Sequence, residues 1–158
     1  MRHSSLERNA GFTIVELVVV IVIIGIVAAF AVPRFFDNRT FSQRGYYEEL
    51  VAALKYSQKL AVASGCPVRV VIGAAGYSAR QQAIQGGTCN LADTTWPTNI
   101  TLADGQVLAG STPTGVIVSP AVTLTFNGIG GTDLGADQNI SVGSLAMTVR
   151  AGGFVQAP

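Results

Sequence analysis

One acidic residue at the edge of a long apolar segment constrains this chain more than any other feature. Residues 17–32 are all non-polar, and Glu16 stands immediately before them. As a helix, residues 12–32 would be about 31 Å long, which matches the ~30 Å hydrocarbon core of a bilayer. A carboxylate at membrane depth costs roughly 2.5–3.5 kcal/mol, and residues of this kind are usually retained for a function. Glu16 is therefore expected to have a partner.

The residues around Glu16 resemble the N-terminus of type IV pilins and type II secretion pseudopilins. In those families a basic leader ends in Gly, the mature chain begins with an apolar residue, and Glu is its fifth residue. The resemblance implies cleavage between Gly11 and Phe12, N-methylation of Phe12, and a role for Glu16 in assembly, facing the free amine of Phe12 on an adjacent subunit. It also implies four partners, namely prepilin peptidase, other pilin or pseudopilin subunits, an inner-membrane assembly platform and membrane lipid.

Two other interpretations of the apolar segment stay open. The residues Ala29-Phe30-Ala31 offer a small-x-small cleavage site, which is compatible with a secretory signal peptide. The segment is also compatible with an ordinary signal anchor that tethers an exported binding module or enzyme. Neither interpretation explains Glu16, unless Glu16 is simply an acid near the cytoplasmic face. In addition, the apolar region of a signal peptide usually has only about 7–15 residues.

The charges near the apolar segment do not decide its orientation. Arg2 and Arg8 precede it, whereas Arg34, Arg39 and Arg44 follow closely, so the positive-inside rule gives no answer. The resemblance implies a cytoplasmic N-terminus, because the family's peptidase acts on that side. The chain is thus expected to cross the bacterial inner membrane once, with its head in the periplasm, and then to enter a pilus or pseudopilus.

Composition argues against catalysis and against nucleic-acid binding. Without residues 1–11 the chain has eight Lys and Arg and eight Asp and Glu, so no general attraction to nucleic acid is expected. The one histidine, His3, lies in the predicted leader, and the mature chain therefore lacks the commonest general base and metal ligand. We predict no catalytic residue, no cofactor and no metal. The Asp-rich loop 130–137 lacks the EF-hand ligand pattern and is expected to be a solvated loop.

The two cysteines, Cys66 and Cys89, also bear on the cellular compartment of the chain. With no histidine they cannot complete a tetrahedral zinc site. In an exported chain an even pair predicts a disulfide, and the alternative is two reduced, buried thiols.

The pattern along the chain and the resemblance together imply four segments: a leader at 1–11, a transmembrane and assembly helix at 12–33, an amphipathic helix at 34–65, and a periplasmic β-rich head at 66–158. Pro33 predicts a kink in a continuing helix, and the alternative is a helix that ends at Val32. Gly65 and Pro67 predict the end of the second helix. Its apolar stripe is formed by five residues at helical spacing, Tyr47, Leu50, Val51, Leu54 and Ala61.

In the head the hydrophobic period changes to that of β-strands. Strands are predicted at 68–72, 76–84, 115–119, 122–126, 139–142 and 145–150, with loops at 86–99 and 127–137. Gly143-Ser144 predicts a two-residue hairpin turn of type II′. The predicted fold class is α+β, in which the long N-terminal helix packs on an antiparallel sheet.

The head gives a second, more diffuse resemblance. Residues 54–61, the following Cys66-Pro67-Val68, and the closing segments 147–149 and 153–155 resemble minor pilins, including pseudopilin H and fimbrial-type minor pilins. Cys66-Pro67 and the short tail resemble more narrowly the minor pilins of the mannose-sensitive haemagglutinin pilus. The resemblance implies a structural subunit of the minor kind and no enzymatic activity.

Overall fold

In the described part of the chain, two helices precede the strands. The computed structural model describes residues 12–35 and 38–157, and among them the side chains of residues 12–28 and 39–157. Helix α1 is Ile14–Phe35 and helix α2 is Asn38–Ser64. α1 therefore continues past Pro33, and a bend at Pro33 stays a prediction. Gly11 lies outside the described residues.

The two parts of the chain are separate compact units. Contacts divide the chain into Met1–Asn38 and Arg39–Pro158. No helix in the described part of the chain combines the length and the apolar character that a membrane crossing needs. The second unit contains nearly all of α2 and every strand.

Eleven short strands follow α2 in the described head. In chain order they are β1 (Val68–Gly73), β2 (Gly76–Gln81), β3 (Ile84–Gln85), β4 (Thr88–Cys89), β5 (Thr98–Asn99), β6 (Ala109–Ser111), β7 (Val118–Ser119), β8 (Val122–Phe126), β9 (Gln138–Val142), β10 (Leu145–Val149) and β11 (Val155–Gln156).

All strand pairs described in the head are antiparallel, and they form two main sheets and one hairpin. The first sheet has the order β5-β2-β1-β8, and β6 also pairs with β2. The second has the order β11-β10-β9-β7, and β3 pairs with β4 alone. β7 and β8 are separated only by Pro120 and its neighbour, yet they belong to different sheets, so the chain passes from one sheet to the other at this point.

One hydrophobic core joins α2 to both sheets. The predicted stripe of α2 is buried at all five positions. From the first sheet the core receives alternate residues of β1 together with Leu124 and Phe126, and from the second sheet Ile140, Val142 and Met147. The alternation of strand side chains places every second residue on the core side. The α+β class with an N-terminal helix and antiparallel sheets is thereby confirmed.

The ends of the elements agree with the predicted stop and turn signals in three places. Gly65 has a φ of 66° directly after α2, which is the left-handed conformation that glycine adopts most readily at a helix end. β1 and β2, which overlap the predicted strands 68–72 and 76–84, pair as a hairpin with Gly73 opposite Gly76. The β9–β10 hairpin turns at Gly143, which has a φ of 59°.

Three predicted boundaries were wrong. β2 ends at Gln81, and Ile84 begins a separate hairpin. Only Val118–Ser119 of the predicted strand 115–119 is extended in a sheet, where it pairs with β9. The predicted loop 86–99 contains β4 and β5. The hairpin was missed because Gly86 and Gly87, with φ values of 59° and 81°, form a tight turn whose strands have only two residues each.

Candidate functional sites

The first candidate site lies at the beginning of α1. The Glu16 amide donates a 3.2 Å hydrogen bond to Thr13 Oγ1, and the Leu17 amide donates to the Thr13 carbonyl at 3.1 Å. Thr13 is thus the N-cap of α1, and Glu16 is its third helical residue. Threonine followed three positions later by glutamate is the capping-box order, and an acid in the first turn also interacts favourably with the helix dipole.

Sequence reasoning missed the capping role of Thr13. The signal that reveals it is the spacing Thr13-Ile14-Val15-Glu16 just before an apolar run. This role gives Glu16 a second physical function, local to its own helix, besides the predicted pairing with an amine. The side chains of residues 12–28 are all exposed within their unit, and that of Phe12 is 81% exposed.

The second site is the disulfide, which the structure forms between Cys66 and Cys89. The two Cα atoms are 5.4 Å apart. Cys66 is buried and is the second residue after α2, and Cys89 ends β4. The bridge therefore fastens the β3–β4 hairpin to the junction of α2 and β1, and this predicted pair is confirmed.

A small polar network surrounds the buried end of this bridge. Ser64 Oγ donates to the Leu60 carbonyl at 2.7 Å and accepts from the Gln81 side chain at 2.7 Å. The Cys66 amide donates to the same hydroxyl at 3.2 Å. Gln81 is a buried polar residue, and this network satisfies its amide at the point where α2 ends.

Along α2 the tyrosines and glutamines hold the helix to the sheets. The Tyr77 hydroxyl of β2 donates to Glu49 Oε1 at 2.7 Å, and the Tyr47 hydroxyl donates to the Ala146 carbonyl at 3.0 Å. The Gln43 side chain donates to Ser144 Oγ at 2.9 Å, and that of Gln58 donates to the Gly130 carbonyl at 2.8 Å. Each contact adds a directional constraint to the apolar packing. Tyr46 and Tyr47 are buried, Tyr47 as predicted for the apolar stripe, whereas Tyr56 is 39% exposed.

The aspartates of the loop 130–137 form hydrogen bonds and an ion pair within the head. Asp133 Oδ1 accepts the Thr125 amide at 2.7 Å, and Asp137 Oδ1 accepts the Ala151 amide at 3.0 Å. Asp137 Oδ2 also forms a 2.7 Å ion pair with Arg150. These contacts, that of the Ala151 amide first and that of Arg150 next, lower the pKa of Asp137 below its ordinary value. The two carboxylates thus fix the loop to neighbouring backbone.

The outer face of the first sheet carries a cluster that sequence reasoning did not identify. Arg69 of β1 and Arg80 of β2 are direct partners in the antiparallel register. The Arg69 guanidinium lies 4.3 Å from the centre of the Trp96 ring. The register of β1 and β2 could be predicted from the hairpin, but the position of Trp96 could not, because it depends on how the chain folds back after β4.

Two sequence families match the chain, and their matched segments together extend from residue 7 to residue 155. The family described as "Prokaryotic N-terminal methylation motif" matches residues 7–32, which include Gly11, Phe12 and Glu16. The family described as "Type II transport protein GspH" matches residues 47–155, which is more than half of the chain. The first match covers the candidate processing site and the second covers most of the head.

Several curated proteins are similar to part of the chain. The "Type IV narrow pilus major component PilA5" of Thermus thermophilus is 42% identical over 62 residues, which is 38% of this chain and 53% of that protein. The "Type IV major pilin protein PilA" of Myxococcus xanthus is 42% identical over 52 residues, 33% of this chain and 24% of that protein. A "Fimbrial protein" of Pseudomonas aeruginosa is 37% identical over 60 residues, 38% of this chain and 39% of that protein. The chain thus spans about half or less of each relative's length, and no solved structure matches it.

Proposed function

Because this chain belongs to the Type II transport protein GspH family, we propose that it is a structural subunit, of the minor kind, of a type IV pilus or a type II secretion pseudopilus. The observation that carries the proposal is the N-terminal methylation motif at residues 7–32, joined in one chain to a GspH head. The similarity of the chain to two type IV pilins and a fimbrial protein supports the same function.

In this function the chain is itself modified and does not catalyse a reaction. Prepilin peptidase removes residues 1–11 after Gly11, and Phe12 becomes the methylated N-terminus. Residues 12–33 hold the subunit in the inner membrane, with the head in the periplasm. As a helix, residues 12–32 would be about 31 Å long, and this length together with the exposed apolar side chains within residues 17–28 supports this role. The assembly platform and the other subunits then take the processed chain into a filament.

Glu16 is the residue that links processing to assembly in this proposal. Cleavage creates an amine at Phe12, and in a filament the amine of one subunit meets the Glu16 carboxylate of the next. In an apolar fibre core each charge offsets the burial cost of the other, whereas either charge alone would be strongly unfavourable. An unprocessed chain has no such amine and therefore cannot pair with Glu16 of a neighbouring subunit.

The experiment must separate this role from the helix-capping role of Glu16. Glutamine at the third helical position can still complete a capping box, but it has no charge with which to pair an amine. We expect Glu16→Gln and Glu16→Leu both to insert into the membrane and to be cleaved at Gly11. We expect both to be depleted from filaments, whereas Glu16→Asp, which keeps the charge, is depleted less.

The measurement compares processed subunit in the membrane with subunit recovered in sheared fibres or crosslinked to neighbours. Normal incorporation of Glu16→Gln would mean that the carboxylate charge is not used in assembly and that Glu16 acts only within its helix. The mass of the mature N-terminus tests the alternative of an exported, membrane-anchored module. A chain that begins at methylated Phe12 supports the subunit, and an intact Met1 or a start at Val32 supports the anchored module.

A further inference from the structure

The outer face of the first sheet brings two cationic side chains together. Arg69 and Arg80 are opposite each other across β1 and β2, and neighbouring Val71 is paired with Ser78 in the same register. The alternating residues Val68 and Val70 are buried on the side of α2. Both arginines therefore point to the opposite face of the sheet. Like charges directly opposite on two strands destabilise the pair unless something compensates them.

Trp96 stacks on one arginine of this pair, Arg69. Its indole lies 4.3 Å from Arg69 Cζ, and the side chain is only 7% exposed. Its backbone has a φ of 53°, which makes it the one non-glycine residue with a positive φ in the described part of the chain. A bulky residue is held in this conformation only when the surrounding structure requires it. The stack fixes the plane of the Arg69 guanidinium.

Two hydrogen-bond donors of this cluster have no partner within the protein. Trp96 Nε1 and Arg69 Nε are both buried and have no acceptor within hydrogen-bonding distance. A cavity of about 230 Å³ lies beside them, and the polar side chains that line it are Arg69, Arg80, Ser78, Thr94 and Thr95. All five side chains carry hydrogen-bond donors, although the hydroxyl of Thr95 already donates to Asp93, and no carboxylate lines this cavity.

Two carboxylates next to this cluster in the sequence or in a neighbouring cavity accept hydrogen bonds from other groups. Asp93 Oδ1 accepts hydrogen bonds from the amide and the hydroxyl of Thr95. Asp133 lines a separate cavity with Arg69, where its Oδ1 accepts the Thr125 amide. Within the described residues, the ion pair between Arg150 and Asp137 is the only one closer than 4.0 Å. The two arginines of the sheet face are therefore not neutralised by a direct ion pair.

We propose that this cavity is a binding site for a small oxyanion, a carboxylate or a sulfate in solution. A guanidinium whose plane is fixed presents two parallel N–H groups to such an ion. A second guanidinium on the neighbouring strand supplies charge, and the hydroxyls of Ser78 and Thr94 supply further donors. The cavity is smaller than the roughly 300–1,000 Å³ of pockets for drug-sized ligands, which favours a small ion.

The single tryptophan makes binding beside it directly observable. Trp96 is the only tryptophan of the chain, so the one indole N–H resonance and the intrinsic fluorescence of the full-length protein in neutral detergent both report on its surroundings. Trp96 and Arg69 also line the neighbouring cavity with Asp133, whereas Arg80 lines only the proposed site. Sodium sulfate and sodium acetate are titrated separately, in phosphate-free buffer, against sodium chloride at matched ionic strength. We expect a saturable shift with sulfate, acetate or both, and the two titrations show which oxyanion geometry the site prefers. Chloride should produce no saturable shift.

Two variants and a charge-matched control decide whether the arginines are responsible. Arg80→Gln removes an exposed charge and should weaken the saturable binding about tenfold or more. Arg69→Lys keeps the charge but loses the planar fork, and it should weaken binding as well. Lys59→Gln makes the same change in net charge as Arg80→Gln on the exposed surface of α2, and it should bind like the unaltered chain. Equal saturation in Arg80→Gln and Lys59→Gln, or no saturable response to either oxyanion, would overturn the proposal.

Discussion

The Tyr77 hydroxyl donates a 2.7 Å hydrogen bond to the Glu49 carboxylate, and this contact joins strand β2 to helix α2. The Tyr77 ring is buried and packs against Tyr46 with ring centres 6.1 Å apart. Offset or tilted aromatic pairs at this distance add to apolar burial. The face of α2 toward the first sheet is thus held by both packing and a polar contact.

Replacing Tyr77 with phenylalanine tests the polar part of that contact. The ring and its burial are kept, and only the hydroxyl that donates to Glu49 is lost. We expect the free energy of unfolding to fall by about 0.5–1.5 kcal/mol. Tyr56→Phe is the control, because Tyr56 is 39% exposed and a surface change of this kind is usually within about 0.5 kcal/mol. Thermal melts that coincide for the two variants would show that the hydroxyl contact contributes nothing to stability.

Alkaline pH should destabilise the head. Burial raises the pKa of Tyr46, Tyr47 and Tyr77 above the ordinary value of 10.0, and the hydrogen bond to Glu49 adds to the rise at Tyr77. The folded chain then keeps these protons at pH values where the unfolded chain has lost them. Stability is therefore fully present below pH 10.0 and decreases as the pH rises further.

The measurement is the melting temperature together with tyrosinate absorbance, in steps from neutral pH to beyond pH 10.0. Tyr77→Phe should lose less stability over this range than the unaltered chain, since one of the three raised pKa values is gone. A melting temperature that stays constant while the buried tyrosines ionise in the folded state would contradict the prediction.

Gly153 should not tolerate a side chain, whereas its neighbour should. Gly153 has a φ of 96°, and a Cβ atom there would collide with the Gly130 carbonyl oxygen and approach Gln58 Nε2. Gly153→Ala should therefore destabilise the head by about 1–3 kcal/mol. At Gly152 a Cβ atom would meet nothing within 4 Å, so Gly152→Ala is the matched control and should be near neutral. Equal melting temperatures for the two variants would argue against the tight packing of this turn on α2.

The disulfide between Cys66 and Cys89 should stabilise the head by constraining the unfolded chain. For a sequence separation of 23 residues the chain-entropy estimate is about 3 kcal/mol. Reduction should therefore lower the melting temperature clearly, and alkylation should detect two more thiols after reduction than before it. The double variant with alanine at both positions is the control, because reductant should leave its melting temperature unchanged. Two free thiols in freshly isolated, unreduced protein would show that the bridge is absent in the exported chain.

Local patterns in the sequence predicted much of helix α2 and two hairpins of the sheets. The five apolar residues of the α2 stripe are all buried, because a helix presents residues three and four apart on the same side. The β1–β2 hairpin and the β9–β10 hairpin were also predictable, since each has its turn residues between two alternating runs. Each of these features is determined within a short stretch of chain.

The predicted boundaries failed where the sequence pattern was short or ambiguous. Strands of two residues, such as Thr88–Cys89 and Thr98–Asn99, are too short to show alternation. The segment 115–119 has a β-branched run, but only Val118–Ser119 finds a partner, and that partner is β9 of the second sheet. Strand propensity indicates a suitable conformation and leaves the pairing to packing elsewhere.

The sequence by itself determined the apolar segment with Glu16 at its edge, the end of α2 at Gly65, and the two residues available for a disulfide. The tertiary structure alone decided that β8 pairs with β1, and that Trp96 lies over Arg69 beside Arg80. The physical reason is that periodicity identifies which face of an element is buried, whereas the partner on that face depends on the whole core. Contacts between residues far apart in the chain are therefore settled only when all elements pack together.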